Sequence, residues 1–354
     1  MNLTDTQFSA SIRKIDKPRT VSVLVAARNE SAHIGSCLQA LLQQQFPADR
    51  FEILVGDDHS EDDTAAIVEE LRLRIAADPL SAYPPIRLFS ITEKKAGLLG
   101  KANVLAQLAD KARGELLLIT DADVQVNPLW IRSMIRQFST GVALVSGTVS
   151  LFSDSLFGHL QNADWLFYMG QCAHRSEKGE PVTAIGCNMG IRTSSYRQIG
   201  GYEAVPFSVT EDYELFRVVR EAGYECRHVL DRSVLVITHP VRSFRDLLRQ
   251  RKRWLTGSFR KNRAFIISHN RAGLYLPFLL ASGFLIHPFM PLILLSMTWL
   301  EKIIFLRKVY KKLALPIPAA LALYPFYRVG CNFLFLFLQI RPGTVTWKGR
   351  PYGA

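Results

Sequence analysis

Two short runs rich in β-branched and other apolar residues, 21–26 and 51–56, flank a segment, 31–45, in which Ile34, Leu38, Leu41 and Leu42 recur at helical spacing. Short apolar runs on either side of a helical repeat predict a β-α-β unit. The alternation continues with a helix over 63–76, a strand over 86–91, a helix over 101–112 and a strand over 115–120. Such alternation implies a mainly parallel sheet covered by helices on both faces. Beyond Pro128 the pattern loosens. It predicts a strand near 142–151, an amphipathic helix over 155–175, a helix over 211–222 and a strand over 233–238. A basic helix over 243–263 then carries Phe244, Leu247, Leu248, Trp254, Leu255 and Phe259, and is expected to lie along a membrane surface.

Two long apolar stretches follow. Residues 274–300 contain no Asp, Glu, Lys or Arg, and a spanning helix needs roughly 20 such residues, so at least one membrane helix is expected. Pro277, Pro288, Pro291 and His287 interrupt this stretch, which suits either a kinked span or a re-entrant hairpin. The second stretch, 313–340, is apolar except for Arg328, with its span expected over 321–340. Between them lie Lys302, Arg307, Lys308, Lys311 and Lys312, residues that favour the cytoplasmic side. Two simple spans leaving a cytoplasmic domain would put that linker outside, so re-entry of the first stretch is the preferred reading. Arg328 should face protein, water or a lipid phosphate, or else snorkel from a shorter helix.

Composition adds to this picture in three ways. A chain of 354 residues, 48% hydrophobic, has length for a catalytic-sized core plus an appendage. Its net charge of +12 is concentrated: residues 242–271 hold eight Arg and two Lys against the single acid Asp246. A basic cluster just ahead of an apolar stretch fits a membrane face with anionic lipid, and no nucleic-acid module is recognisable, so no nucleic-acid partner is expected. The five cysteines, Cys37, Cys172, Cys187, Cys226 and Cys331, show no paired spacing, which argues against a zinc cage or a disulfide framework and for reduced, buried thiols. Residues 1–20 are polar with charges of both signs and read as neither a secretory signal nor a transit peptide, so the first half is expected in the cytoplasm.

Ligands of parallel α/β sheets bind beyond the carboxyl ends of the strands. Arg28-Asn29-Glu30, Asp57-Asp58 and Asp121-Ala122-Asp123 all fall at such ends, so one crevice can collect them. Two aspartates two residues apart repel one another, and a hard divalent cation relieves the repulsion while bridging to the phosphates of a nucleotide. Each motif also has a plainer reading. Residues 57–63 resemble a capped, acid-rich helix start, Asp121 and Asp123 a strand-ending turn, and Thr210-Glu211-Asp212 an N-capped helix. Gln250, Arg253 and Trp254, at i, i+3 and i+4, share one helix face, which could equally be a solvated basic surface.

Taken together and in order, these motifs over about residues 20–260 resemble the family 2 glycosyltransferases, inverting enzymes of the GT-A fold. The motifs are Ala27-Arg28-Asn29-Glu30, Asp57 to Thr64, Asp121-Ala122-Asp123, Thr210-Glu211-Asp212, and Gln250-Arg251-Lys252-Arg253-Trp254. The resemblance implies that Ala27, Glu30 and Asp58 contact the nucleoside, with Asp57 close by and Lys101 near the nucleotide. It implies that Asp123 ligates Mg2+ or Mn2+, and that Asp121 contacts the ribose or the metal. Asp212, next to Glu211, becomes the general base. Trp254 stacks under the acceptor, Arg253 and Gln250 meet the diphosphate, and Asn188 in Gly186-Cys187-Asn188-Met189 contacts the acceptor. Arg251 and Lys252 are left as solvated or membrane-anchoring residues. His59 departs from the family, which usually has glycine there, and so puts the shape of this turn in question. Trp347-Lys348-Gly349-Arg350 resembles a tail segment of some membrane-attached relatives.

The expected fold is α/β, a GT-A type mainly parallel sheet with flanking helices, followed by a basic interfacial helix and a C-terminal membrane region. The expected divisions are a polar tail (1–20), a nucleotide-sugar-binding half (21–150), an acceptor half (151–241), the basic interfacial region (242–272), the membrane region (273–340) and a tail (341–354). The implied function is transfer of one sugar from a nucleotide-sugar donor, a UDP-sugar, to a lipid or lipid-linked acceptor at the cytoplasmic membrane face. Two alternatives stay open. A processive polysaccharide synthase shares all five motifs but adds spans and a gating-loop motif for which this chain shows no match, and a non-catalytic nucleotide-binding membrane scaffold would need no turnover.

Overall fold

The computed structural model describes residues 20–77, 82–95, 97–206, 208–259, 263–340, 345–347 and 350–352. The tail before Thr20, and Lys348 and Gly349 of the C-terminal segment, lie outside them. The first half follows the hydrophobic alternation: β1 (Val21–Ala27), α1 (Ile34–Leu42), β2 (Phe51–Asp57), α2 (Thr64–Ala76), β3 (Ile86–Ser90), α3 (Gly100–Lys111) and β4 (Leu116–Asp121). Six of the seven β1 residues and all of β2 are buried, as expected of strands covered on both faces. Then come β5 (Gln125–Val126), α4 (Trp130–Arg136), β6 (Val142–Ser146), β7 (Val149–Leu151), α5 (Leu156–Glu177), β8 (Asn188–Arg192), α6 (Thr193–Gln198), α7 (Glu211–Glu221), β9 (Glu225–His228) and β10 (Val236–Thr238).

Seven strands form the main sheet in the order β3-β2-β1-β4-β8-β6-β9, parallel throughout except for β8, which runs antiparallel to β4 and β6. Two expectations change here. The strand near 142–151 is two strands in different sheets, with β7 joining β10 and β5 in a small second sheet. The strand expected over 233–238 is only β10, preceded by a 3-10 turn at Arg232–Val234. Register fixes where the chemistry lies. Ala27 pairs with Asp57, and Ala26 with Asp121, so the three strand ends open on one edge.

That edge is shaped by two turns with unusual backbone. Asn29 and His59 have φ of 53° and 55°, in the left-handed region. Asn29 joins the two turns, its N–H donating to Ser60 Oγ at 3.0 Å and its Oδ1 accepting from Glu61 N–H at 2.8 Å. His59 therefore adopts the conformation that glycine adopts freely, and the departure from the family leaves the turn intact at a cost in strain.

The basic segment is not one interfacial helix. It breaks into α8 (Phe244–Trp254), a π-turn (Leu255–Phe259) and α9 (Arg263–Gly273). Part of its apolar face is used inside the protein: Leu247 is buried with Cys331 and Phe335 of a later helix, while Phe244 stays exposed. The first apolar stretch is not one span either. It folds as a hairpin of α10 (Tyr275–Leu285) and α11 (Met290–Lys312), turning at His287 and Pro288. Eleven residues reach about 16 Å, roughly half a hydrocarbon core. The basic linker is no linker, because α11 runs through it. Leu306, Val309 and Tyr310 on that half of α11 are buried in the core cluster that includes α5, and this docking holds the helix intact. The tip is bare: Phe284 is 93% exposed and Leu285 78%.

The last helix, α12 (Tyr324–Ile340), continues a 3-10 turn from Ala319, and Ala319–Leu338 is long and apolar enough to cross a membrane by length and composition. Arg328 takes the first of its expected options and faces protein. Its Nη1 donates to Asp164 Oδ1 of α5 at 2.5 Å. A short hairpin of Val345–Trp347 and Arg350–Tyr352 ends the described chain.

The strain at His59 gives a direct test. Replacing it with glycine is expected to raise the thermal midpoint slightly, whereas His59→Val, β-branched in the same turn, lowers it by on the order of 2–4 °C. A midpoint unchanged in both variants would show that the turn relaxes away from the left-handed conformation.

Candidate active site

The strand ends line a crevice of about 410 Å³, within the usual range for small-molecule sites. Ala27, Glu30, Asp58, Lys101, Asp121 and Asp123 line its first half, and Glu211, Asp212, Gln250, Arg253 and Trp254 the second. Residues separated by more than 200 positions in sequence thus share one cleft. Two predicted residues lie apart. Asp57 is buried behind Asp58, its Oδ2 accepting from Ser60 N–H at 3.3 Å. Asn188 is fully buried at the start of β8. Its Oδ1 accepts from Trp130 Nε1 at 2.8 Å, and its Nδ2 donates to the Thr148 and Val234 carbonyls, both at 2.8 Å. Its side-chain amide is spent inside the fold and it does not line the crevice, unlike the expectation that it contacts the acceptor.

Lys101 enters near the N-terminus of α3 and is the electrostatic hub. Its Nζ stands 2.5 Å from Asp121 Oδ1 and 3.3 Å from Glu211 Oε1, and it reaches the Gly186 carbonyl at 3.4 Å. Burial opposes its charge, but Asp121 and Glu211 outweigh that and hold the ammonium well above the ordinary lysine range. One cation therefore ties the β4 end to the start of α7.

Asp212 is held by backbone. Gly186 N–H donates to its Oδ2 at 2.7 Å and Tyr213 N–H to its Oδ1 at 2.8 Å. A Cβ on residue 186 would lie 3.0 Å from this side chain, so the close approach favours glycine. Burial, followed by the neighbouring Glu211 charge, pushes the Asp212 carboxyl up to about 6. That value suits a group that must accept a proton near neutral pH. Beside it the segment leading into α7 packs against α8 and the π-turn that follows it. A Cβ at Gly257 would come 2.2 Å from Thr210 Oγ1, and Arg253 Nη1 reaches the Val209 carbonyl at 3.4 Å.

Six carboxylates line the crevice against four basic side chains, and one of those, Arg251, is engaged by Asp164 at 2.7 Å. A cleft with excess negative charge repels a nucleoside diphosphate unless a cation joins it. Among the described residues no group of three or more His, Cys, Asp or Glu is arranged to hold a metal. Mg2+ and Mn2+ do not require one, because they bind through one or two carboxylates and complete their shells with water and phosphate oxygens. Asp121 and Asp123 fit that donor set. Asp123 is steadied by Thr238 Oγ1, which donates to its Oδ2 at 3.2 Å.

Sequence reasoning missed four contributors. Gly186 orients the base carboxylate. His239 follows Thr238 and lines the cleft. Trp165 faces Trp254 with centroids 4.9 Å apart. Arg251, taken as solvated, turns inward, with its Cζ 4.7 Å from the Trp254 ring centroid. The spacing of Arg251 three residues before Trp254 was the available signal. Nothing local marked the other three.

Comparison with known proteins identifies the family and supports the fold. The sequence pattern of glycosyl transferase family 21 matches residues 17–354. The beta-monoglucosyldiacylglycerol synthase of Synechocystis is 31% identical over 121 residues, 34% of this chain and 23% of that protein. The synthase of the same name from Trichormus variabilis is 24% identical over 260 residues, 72% of this chain and 52% of that protein. The chain thus spans about half or less of the length of these curated relatives. The mannosyltransferase PcManGT from Pyrobaculum calidifontis, solved in complex with GDP-Man and Mn2+, superposes with a TM-score of 0.57 at 20% identity, over 91% of this chain and 86% of that one. That likeness supports the fold. The chain belongs to glycosyl transferase family 21, and its motif order and mainly parallel sheet are family 2-like and of the GT-A type.

Proposed function

We propose that the protein is an inverting glycosyltransferase that moves one sugar from a nucleotide-sugar, a UDP-sugar, to a lipid or lipid-linked hydroxyl at the cytoplasmic face of a membrane. The observation that carries this reading is the Lys101 bridge, which joins Asp121 of the donor end to Glu211, the residue before the Asp212 base, through one ammonium. The names of the glycolipid synthases among its relatives support a lipid acceptor.

In this reading Ala27, Glu30 and Asp58 hold the nucleoside, and Asp121 and Asp123 face its diphosphate. Asp121 and Asp123 would hold Mg2+ or Mn2+, which would supply positive charge to a departing diphosphate. Arg253 and Gln250 approach the same oxygens from α8. Asp212 takes the proton of the acceptor hydroxyl as its oxygen bonds to the anomeric carbon, and the bond from that carbon to the diphosphate breaks. Attack from the face opposite the leaving group inverts the centre, and no covalent glycosyl-enzyme is needed. Trp254 offers the acceptor a flat surface.

The bare tip of the α10–α11 hairpin suits a wedge into one leaflet, so that the crevice mouth stays at the interface where a lipid hydroxyl resides. Re-entry also leaves the basic half of α11 on the cytoplasmic side, consistent with its lysines.

Four outcomes test the proposal. Full-length protein incubated with a panel of UDP- and GDP-sugars, Mn2+ and extracted lipids should yield, by mass spectrometry, a lipid carrying one added sugar, whereas a polymer would favour the processive alternative. Asp212→Asn should lose about 10²- to 10⁴-fold in turnover while still binding UDP. In the wild type, kcat/KM should fall as pH drops below about 6, because the base is then protonated. Full turnover in Asp212→Asn would remove it as the base. Finally, Phe284→Asp with Leu285→Asp should reduce flotation with anionic vesicles. Undiminished flotation would assign membrane attachment to another element.

A further inference from the structure

One buried ionic cluster plays no part in the chemistry proposed above. Asp164, in the middle of α5, is only 9% exposed. Its Oδ2 accepts from Arg251 Nη2 at 2.7 Å, and its Oδ1 from Arg328 Nη1 at 2.5 Å and Tyr324 Oη at 3.1 Å. Burial raises the cost of its charge, but Arg328 and Arg251 more than compensate and keep the carboxyl below the usual carboxylate range. The cluster draws together α5, α8 and α12. Two guanidinium groups and a carboxylate removed from water are a poor source of stability, and their use is more often to fix one arrangement against others.

The arrangement fixed here is that of Trp254. Arg251 makes its ion pair with Asp164 and lies 4.7 Å from the Trp254 ring centroid and 5.7 Å from that of Phe335. Its Nε is buried without a hydrogen-bond partner among the described residues, so the Asp164 contact is the hydrogen bond that sets the guanidinium. Trp165, the residue after Asp164, meets Trp254 at 4.9 Å with the rings 34° apart. Asp164 thus controls two of the groups that grip Trp254, one through a charge and one through the chain.

We propose that Asp164, Arg251 and Arg328 are positioning residues that set the Trp254 ring in the crevice and make its placement depend on the docking of α12. Arg328 is the far end of this linkage. Its charge within an apolar segment is the means by which the helix most suited to a membrane is registered against the acceptor surface. The inference rests on the reading of Trp254 as that surface.

The test uses the full-length protein in nanodiscs. The Trp165–Trp254 pair should give an exciton couplet in far-ultraviolet circular dichroism, assigned by its loss in Trp165→Phe. Asp164→Asn and Arg328→Gln should weaken the couplet. They should also lower kcat/KM for the lipid acceptor about 10- to 100-fold, while UDP affinity and the acid limb of the pH profile stay put. Arg328→Lys keeps the charge and should restore much of both signals. If Asp164→Asn does not fold, Arg328→Gln against Arg328→Lys supplies the same comparison. A lowered thermal midpoint with couplet and acceptor kinetics unchanged would overturn the proposal and leave the cluster a purely structural one. The couplet needs no turnover, so a wild-type protein without transferase activity would refute the functional reading separately.

Discussion

Carboxylates crowded at the ends of parallel strands set the terms for this molecule. The register that lays β1 between β2 and β4 brings Glu30, Asp58, Asp121 and Asp123 to one edge, and α7 adds Glu211 and Asp212 from across the cleft. Left alone, such a group would titrate or splay apart. The half-buried Lys101 ammonium, between Asp121 and Glu211, lets the two sides approach. The residual negative charge has two consequences. Beside burial, which acts first, it raises the Asp212 carboxyl into the range of a useful base, and in the proposed reading it calls for a cation beside the diphosphate.

Much of the first half was legible because its strands are buried on both faces and its helices are amphipathic, so period and length sufficed. Asp121-Ala122-Asp123 and the Trp254 helix were legible for another reason: residue types that are costly in any plain role recur in a fixed order. What escaped depended on contacts distant in sequence. β8 is short and starts at the polar Asn188, and its central place in the sheet comes from pairing with β4 and β6 rather than from its own pattern. Asn188 resembled a substrate-contacting residue because its motif did, yet its side chain is spent on Trp130 and two carbonyls. Arg251 looked solvated because its partner Asp164 lies 87 positions earlier.

The C-terminal third shows how burial overrides composition. Hydropathy alone draws a span over 274–300, but Pro288 and His287 turn the chain, and packing of α11 on the main body carries its helix through lysines that looked like a linker. The result is an exposed apolar tip on a hairpin whose second helix docks on the main body. Beside it, α12 combines an apolar surface with a charged contact to α5.

The claim that the acid-lined cleft holds its nucleotide through a divalent cation is tested most directly by calorimetric titration of UDP into the full-length protein, with Mn2+ and then with excess EDTA. Affinity should fall at least about tenfold on chelation, and Asp123→Asn should fall similarly even with Mn2+ present. Equal affinity in EDTA and Mn2+ would contradict the account, because the carboxylates would then hold a diphosphate without the charge that is needed to offset them.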